Sequence, residues 1–241
     1  QISFDSKGQL VTPADTVLKT NNELGETWFD QAAAFAQYVR GMTVDDVKNI
    51  KVDEQNIPIE PDLKTSVQMS VGTFIKGIEK AVANAKEGGA AESDKLSLGI
   101  VSTMDQSKGA SSGKEGLAQV DASYAAVTRD AGGKISCCLI DATEVGISFT
   151  EKGKITTDIT VQPPSNYELK EAYGMKDASG IDKEWFEQAD AFAQYVTGKQ
   201  PEEVEGIAVD SEGLAVAADL KSSITIPIEG LKAAVLKAVG G

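Results

Sequence analysis

Histidine and cysteine, which often carry acid–base and transition-metal chemistry, are scarce in this chain. It has no histidine, and its only two cysteines are the neighbours Cys137 and Cys138. Histidine is the commonest general base near neutral pH and the commonest transition-metal ligand, so its absence removes the usual centre of both kinds of site. Adjacent side chains on an extended segment point to opposite faces, which places the two thiols badly for sharing a metal ion. We interpret them as small apolar core residues, with a redox pair as the alternative, and predict no catalytic residue and no metal site.

Two other patterns are typical of functional loops but lack a decisive feature. The segment GASSGK at 109–114 resembles a phosphate-binding loop, yet it is one residue short, Glu115 follows the lysine, and a strand pattern comes next. A flexible Gly/Ser linker is the better interpretation. The acidic groups VDEQNIPIEPD and VDSEGLAVAAD lack the spacing of a calcium loop, which favours solvated loops. A carboxylate pair for glycoside hydrolysis stays open, but no motif supports it.

The charge balance restricts the classes of partner. The 241 residues include 37 acidic and 23 basic ones, which gives a formal charge of -14. Such a surface repels nucleic-acid phosphates and anionic lipid, and no Lys/Arg cluster reverses it locally. No stretch reaches the ~20 apolar residues that a membrane helix needs. We therefore expect no nucleic acid partner and no membrane span in this chain.

One segment of the sequence occurs twice. FDQAAAFAQYVRG at 29–41 returns as FEQADAFAQYVTG at 186–198, and an offset of 157 holds from Trp28 and Trp185 towards the ends of both copies. Before the tryptophans the offset is 145, so the second copy carries twelve extra residues at 171–182. Apolar residues recur with helical spacing after each tryptophan, which predicts an amphipathic helix. Because both copies share this apolar face, we interpret the helix as scaffold and expect function where the copies differ.

The residues between the copies predict a sheet. Apolar and polar residues alternate through about 96–146, a pattern typical of antiparallel strands joined by hairpins. We predict an α+β fold of two related units, each an antiparallel sheet packed by a long amphipathic helix and a C-terminal helix. The predicted domains are repeat unit 1 at 1–90, and the strand block plus repeat unit 2 at 91–241. Copy one starts where a strand block should already have ended. We expect either an equivalent block upstream in a longer precursor, which leaves unit 1 N-terminally truncated, or one block that serves both copies, and we favour the first.

The end of the second copy carries a motif. Residues 219–238, DLKSSITIPIEGLKAAVLKA, resemble the end of the FMN-binding domain family of extracytoplasmic flavoproteins, whose signature D-x-x-S-G-A-T continues into a helix with A-V-x-x-A. Asp219, Ser222 and Thr225 fall on the Asp, Ser and Thr of that signature. In the family the threonine receives FMN through a phosphoester bond. The resemblance therefore implies that Thr225 is the attachment position.

The chain departs from this signature at two positions. Ser223 and Ile224 stand where the family has Gly and Ala. Gly permits a close backbone approach and Ala leaves room for the transferase or the flavin, whereas a β-branched isoleucine does neither. Copy one departs further, because Gln68 occupies the acceptor position and no phosphoester can form there. The attachment site that the resemblance implies is therefore degenerate.

The twelve-residue insertion is the second candidate site. Its segment AYGMKDASG brings Tyr173 and Met175 into one loop that precedes Trp185. Loops on rigid scaffolds often hold function, and Tyr and Trp can both stack on a planar ligand and hydrogen-bond to it. The alternative is that Tyr173 and Met175 fill the gap between helix and sheet, and that Trp185, like its counterpart Trp28, is a core residue.

The resemblance implies an extracytoplasmic FMN-binding-domain-like module that binds a flavin or similar planar ligand in electron transfer. The layout of the chain also resembles uncharacterised secreted or lipoprotein-type proteins of Gram-positive anaerobes, which implies an extracellular or cell-surface location with a lipid anchor upstream. The departures from the signature favour the alternative, a cofactor-free cell-surface binding or structural module. The expected partners are a small planar ligand or a surface protein. The candidate residues for binding FMN are Asp219, Ser222, Thr225, Tyr173, Met175 and Trp185.

Overall fold

The computed structural model describes residues 24–240 together with two short paired strands, Ser3–Phe4 (β1) and Leu10–Val11 (β2). The chain separates into two compact units, residues 1–86 and residues 87–241. Helices and antiparallel strands both contribute to the fold, which is the α+β class that the sequence predicts.

Unit 1 is built around four helices in its described part: Trp28–Tyr38 (α1), Val44–Lys48 (α2), Pro61–Lys64 (α3) and Gly72–Ala83 (α4). The first two begin at threonines that form capping boxes. The Thr27 hydroxyl accepts the Asp30 backbone N–H while the Asp30 carboxylate accepts that of Thr27, and Thr43 and Asp46 repeat this arrangement. These reciprocal bonds satisfy backbone N–H groups that a helix start leaves without partners. The buried apolar residues in the described part of this unit are Phe35, Val47, Ile50, Leu63, Val67 and Val71.

Unit 2 starts with a three-stranded antiparallel sheet of order β3-β4-β5. Its strands are Lys95–Thr103 (β3), Gly116–Arg129 (β4) and Ile135–Phe149 (β5). The segment 109–114, which resembles a phosphate-binding loop in sequence, lies in the connection from β3 to β4. It joins two strands rather than a strand and a helix, so the phosphate-loop interpretation fails on its structural context.

The helices of unit 2 follow the sheet: Asn166–Leu169 (α5), Trp185–Val196 (α6), Pro201–Glu205 (α7), Ala218–Lys221 (α8) and Glu229–Val239 (α9). Two 3₁₀ turns, Lys170–Tyr173 and Lys176–Ala178, lie before α6 and include residues of the insertion. Helix α9 packs on β3 and β4, and α6 packs on β5. We call the side of the sheet that these helices cover the inner face.

Gly99 lets α9 lie very close to the sheet. A Cβ atom on Gly99 would stand 1.9 Å from the carbonyl oxygen of Ala234 and 2.6 Å from the backbone nitrogen of Ala238. Only glycine fits at this crossing, and the alanines on the helix side are small for the same reason. Sheet and helices thus enclose one apolar core, which includes Phe192, Val196, Leu220, Ile228 and Val235.

A buried glutamine occupies the same place in α1 and in α6. Gln31 and Gln188 both have 0% of their surface exposed. The side-chain oxygen of Gln31 accepts the backbone N–H of Gln68 at 2.8 Å. That of Gln188 accepts the backbone N–H groups of Thr225 at 2.7 Å and of Ile226 at 3.2 Å. In each unit the glutamine therefore ties the first long helix to the segment that leads into the last one.

Candidate ligand-binding cleft

Unit 2 contains an open cleft of about 550 Å³ where the strands of the sheet meet the insertion and the start of α9. This volume lies within the ~300–1,000 Å³ typical of small-molecule sites. Residues of all three strands, of the segment before α6 and of the first turn of α9 form its walls. They include Val101, Thr103, Asp105, Asp121, Ser123, Ala142, Glu144, Asn166, Tyr173, Trp185, Ile226, Glu229 and Leu231.

Glu144 on β5 organises one wall of the cleft. Its Oε1 atom accepts a hydrogen bond from the Tyr173 hydroxyl at 3.1 Å and another from the Asn166 side-chain amide at 3.1 Å. Asn166 is only 3% exposed, so its amide is held in place by both packing and this bond. Helix α5 and the first 3₁₀ turn are thereby fastened to the sheet at the cleft, which fixes the position of the tyrosine ring.

Tyr173 and Trp185 form the aromatic part of the cleft. Their ring centroids are 6.3 Å apart and the ring planes are inclined by 38°. Tyr173 is half-buried, whereas Trp185 is 6% exposed and also belongs to the core. Burial raises the pKa of Tyr173 to about 12, and the neighbouring charges of Glu144 and Asp121 and the Glu144 hydrogen bond act in the same direction. The Tyr173 hydroxyl is therefore a protonated donor at neutral pH.

The loop of the insertion is held by two residues that do not line the cleft. Glu184 is 4% exposed and its carboxylate accepts the backbone N–H groups of Met175 at 3.0 Å and Lys176 at 3.2 Å. The Ser179 hydroxyl donates to the carbonyl of Lys176 at 2.7 Å and accepts the backbone N–H of Lys183 at 3.1 Å. These bonds give the loop one defined course, so Tyr173 is presented from an ordered segment.

The cleft is acidic. Asp105, Asp121, Glu144 and Glu229 contribute carboxylates, and among its lining residues, all within the described part of unit 2, none is Lys or Arg. An anionic group entering this space meets repulsion with no opposing cation, whereas a neutral or cationic group does not. In the described chain no group of three or more His, Cys, Asp or Glu residues is arranged to hold a metal ion.

The six residues predicted to bind FMN do not form one site. Tyr173 and Trp185 line the cleft. Met175 packs against the core instead, and its sulfur accepts a long 3.8 Å contact from the Gln188 amide. The structure thus brings the two aromatic residues together and leaves the methionine as a packing residue beside them.

The three residues of the signature lie outside the cleft. Asp219 and Ser222 are exposed at the two ends of α8, where the Ser222 hydroxyl donates to the Asp219 carbonyl at 2.8 Å. Thr225 is half-buried, and its hydroxyl donates to the Ser179 carbonyl at 2.9 Å. The hydroxyl that the resemblance assigns to FMN is therefore engaged in holding the insertion loop against the segment before α9.

Sequence reasoning missed the polar residues that shape the site. Glu144, Asn166 and Glu229 sit in unremarkable local patterns and meet only through the tertiary fold. Gln188 did carry a signal, because it interrupts the apolar face of the helix at a position where Gln31 stands in the other copy. A polar residue kept at the same point of two apolar faces indicates a buried hydrogen bond.

The adjacent cysteines lie on β5, away from the cleft lining. Both are free thiols, and Cys138 is buried in the core. Burial raises the pKa of the Cys138 thiol to about 12, with a smaller contribution from Cys137. A thiol that stays protonated is a poor nucleophile and metal ligand, which is the behaviour of a small core residue.

Compared with known proteins, the chain matches no protein-family model, no curated protein and no solved structure. Among the described helices none has the length and apolar character required to cross a membrane.

Proposed function

We propose that unit 2 is a binding module that holds a flavin or a similar planar ligand, non-covalently, in the cleft beside Tyr173 and Trp185. The observation that carries the proposal is the cleft itself: a space of about 550 Å³ with an aromatic pair on one wall and fixed polar groups on another. Aromatic side chains stack on planar ligands, and the few convergent polar groups orient them. In such a module the flavin supplies the redox chemistry of electron transfer, while the protein positions it and tunes its surroundings.

The charge of the cleft selects among flavins. The four carboxylates along its walls repel the phosphate of FMN, and no lining cation compensates them. We therefore infer that recognition is directed at the ring system, and that riboflavin binds more tightly than FMN. Attachment through Thr225 plays no part in this proposal, because its hydroxyl is bonded to Ser179 and lies outside the cleft.

Titration of flavins into a Trp28→Phe variant tests the proposal, because the remaining tryptophan, Trp185, then reports binding through its fluorescence. We expect quenching that saturates, with riboflavin at least about 10-fold tighter than FMN at low ionic strength, a difference that added salt reduces. Glu144→Gln should strengthen FMN binding more than riboflavin binding, and so reduce the difference between the two affinities. Tyr173→Ala should weaken both flavins, and Tyr195→Phe, a half-buried tyrosine outside the cleft lining, serves as the matched control.

Two results would contradict this function. FMN binding tighter than riboflavin would show that a phosphate site elsewhere dominates. Binding that is unchanged in Tyr173→Ala would remove the cleft from consideration. An absorption spectrum and intact mass of protein from its native host complete the test, since flavin bands that disappear on denaturation, with an unmodified mass, are expected for a non-covalent ligand.

We also propose that the two units are related copies of one ancestral unit. The supporting observation is the agreement of helix starts at an offset of 157, with α1 and α6 beginning at Trp28 and Trp185 and α2 and α7 at Val44 and Pro201. The equivalent buried Gln31 and Gln188 add a matching hydrogen bond. The location that we propose, outside the cytoplasm and at the cell surface, rests on the sequence resemblance.

A second candidate function is a cofactor-free binding or structural module at the cell surface. One observation favours it: the face of the sheet opposite α9 exposes large apolar side chains, among them Leu96 at 74% and Leu98 at 64%. Contiguous apolar surface of this kind marks interaction sites in soluble proteins.

A further inference from the structure

Equivalent helix surfaces in the two units are covered to very different degrees. In unit 2 four apolar residues of α6 and α9 are at most 6% exposed: Trp185, Leu231, Val235 and Val239. The residues 157 positions earlier are Trp28, Phe74, Ile78 and Val82, which we call the helix stripe. Trp28 is 37% and Val82 53% exposed, Phe74 and Ile78 are partly exposed, and α4 has no buried residue. Phe74 and Ile78 also contact the core of unit 1, so in its described part the stripe is most open at its two ends, Trp28 and Val82.

Helix α4 has the shape required to lie on a sheet. In unit 2, α9 crosses β3 at Ala234 and Ala238, where small side chains permit the close approach to Gly99. The corresponding residues of α4 are Gly77 and Ala81, which are as small or smaller, and both are exposed. The edge of Trp28 meets the ring of Phe74 with centroids 5.9 Å apart, so the stripe continues from α4 onto α1. In the described part of unit 1 these small residues of α4 are exposed to solvent.

The sheet of unit 2 presents an apolar face that is also open. Because Gly99 faces α9, its neighbours in β3 point to the opposite side. We call this side the outer face; its exposed residues are Leu96, Leu98, Ile100 and Leu139, at 74%, 64%, 40% and 45%. Leu98 and Leu139 flank Ala126, their register partner on β4, so the centre of the face is shallow. The small residues of a helix can pack closely against this shallow centre.

We propose that the helix stripe of one molecule docks on the outer face of the sheet of a second copy of this chain. The template is unit 2, in which helices of the same sequence pattern cover a sheet face. The sizes agree. The nine-residue β3 with the parts of β4 and β5 beside it spans about 30 by 14 Å, and helices of eleven and twelve residues are about 16 and 18 Å long. Net charge opposes the contact, because both copies carry a formal charge of -14, so the apolar surfaces must supply the attraction.

This contact joins two different surfaces, so each molecule offers one of each kind. Such a heterologous contact does not saturate at a dimer and extends into longer chains unless the rotation closes a ring. Self-association would supply the structural role proposed as the second candidate function. It is independent of ligand binding, because none of the outer-face residues lines the cleft.

Sedimentation velocity over about 1–200 μM tests the contact, a range that spans the affinities of weak to moderate assemblies. We expect species larger than the 25.3 kDa monomer that grow with concentration. Val82→Lys, in the helix stripe, and Leu98→Lys, in the outer face, should each weaken association at least about 100-fold, because a lysine would be buried without a partner. Val161→Lys is the matched control, since Val161 is 65% exposed and lies outside both surfaces. Circular dichroism confirms that each variant is folded.

Mixing the two variants identifies the geometry. Val82→Lys retains an intact outer face and Leu98→Lys retains an intact helix stripe, so an equimolar mixture should form dimers that cannot extend. A chain that stays monomeric at every concentration overturns the proposal. So does a Val82→Lys variant that associates like the unmodified protein while Leu98→Lys does not, because that pattern indicates sheet-on-sheet pairing of two copies.

Discussion

Replacing Gln188 with leucine should selectively destabilise unit 2. Gln188 is completely buried, and its side-chain oxygen accepts backbone N–H groups from Thr225 and Ile226. Leucine is of similar size but offers no acceptor. The backbone N–H groups of Thr225 and Ile226 then lose their acceptor at the junction of α6, the insertion and α9. The carbonyl of Lys183 also loses its hydrogen bond from the Gln188 side-chain amide, which measures 3.2 Å.

The magnitude follows from the two orphaned donors. Each buried N–H left without a partner costs about 1–3 kcal/mol, and the added apolar surface of leucine returns about 1 kcal/mol. We expect a net loss of about 1–5 kcal/mol in the free energy of unfolding of unit 2. With a urea dependence of about 2 kcal/mol/M, the unfolding midpoint falls by about 0.5–2.5 M.

The assay uses the distribution of tryptophan, one in each unit. In a Trp28→Phe background, Trp185 fluorescence reports the unfolding of unit 2 by urea. Gln194→Leu is the matched control, because Gln194 is an exposed glutamine in the same helix and its replacement should change the midpoint by less than about 0.5 M. In a Trp185→Phe background, Trp28 fluorescence should show unit 1 unaffected by Gln188→Leu.

An unchanged midpoint in Gln188→Leu would refute the reasoning, since it would mean that the two N–H groups find other partners at little cost. An equal loss in Gln194→Leu would show that the effect belongs to helix propensity and not to the buried bonds.

Three further predictions concern burial, ionisation and backbone approach. At protein concentrations low enough to keep the chain monomeric, the 6% exposed Trp185 should emit at shorter wavelength and resist acrylamide quenching better than the 37% exposed Trp28, and equal quenching would contradict the burial difference. The ultraviolet titration of the tyrosines should include a component near pH 12 that Tyr173→Phe removes. The stabilisation due to protonated Tyr173 is complete below the ordinary pKa of about 10 and is lost as the pH rises through about 12. The hydrogen bond to Glu60 also raises the pKa of Tyr38, which titrates in both proteins, so an absorbance change near pH 12 of undiminished size in the variant would refute the assignment. Gly99→Ala should destabilise unit 2 by at least about 1–3 kcal/mol in urea unfolding, because the added methyl group overpacks against α9. Gly77→Ala places its added Cβ with nothing within 4 Å, so it should leave the stability of unit 1 unchanged or raise it by about 1 kcal/mol. A larger loss of stability in Gly77→Ala than in Gly99→Ala would contradict the close approach of α9 to the sheet.

The sequence predicted the elements of this fold better than their contacts. The long helices begin at Trp28 and Trp185, where the apolar periodicity places them, and the three strands lie in the alternating block. Periodicity works here because helices and strands each repeat one orientation relative to a core. The cleft was beyond this reasoning, because Glu144 and Asn166 are 22 positions apart and are joined only when α5 folds back on β5.

Thr225 illustrates the limit of a motif. The signature matched its residue type and its distance from the following helix, but not the direction of its side chain. In the structure that side chain points to Ser179, and the neighbouring residue Ile226 is the one that reaches the cleft. A shift of one position changes which face of an extended segment a residue serves, so agreement in spacing cannot establish access to a ligand.

The difference in burial between equivalent helix residues of the two units also indicates a role for the sheet. Unit 1 has its own apolar core around Phe35, Leu63 and Val67, and its capping boxes and Gln31 bond are formed without a three-stranded sheet in its described part. The helical frame is therefore held by contacts of its own, and the surface that carries Trp28 and Val82 is additional to that core. An apolar surface that the frame does not need for its internal packing costs solubility unless something covers it. In unit 2 the cover is a sheet, and because that sheet has a second apolar face, the chain contains a surface of the kind that the proposed contact requires.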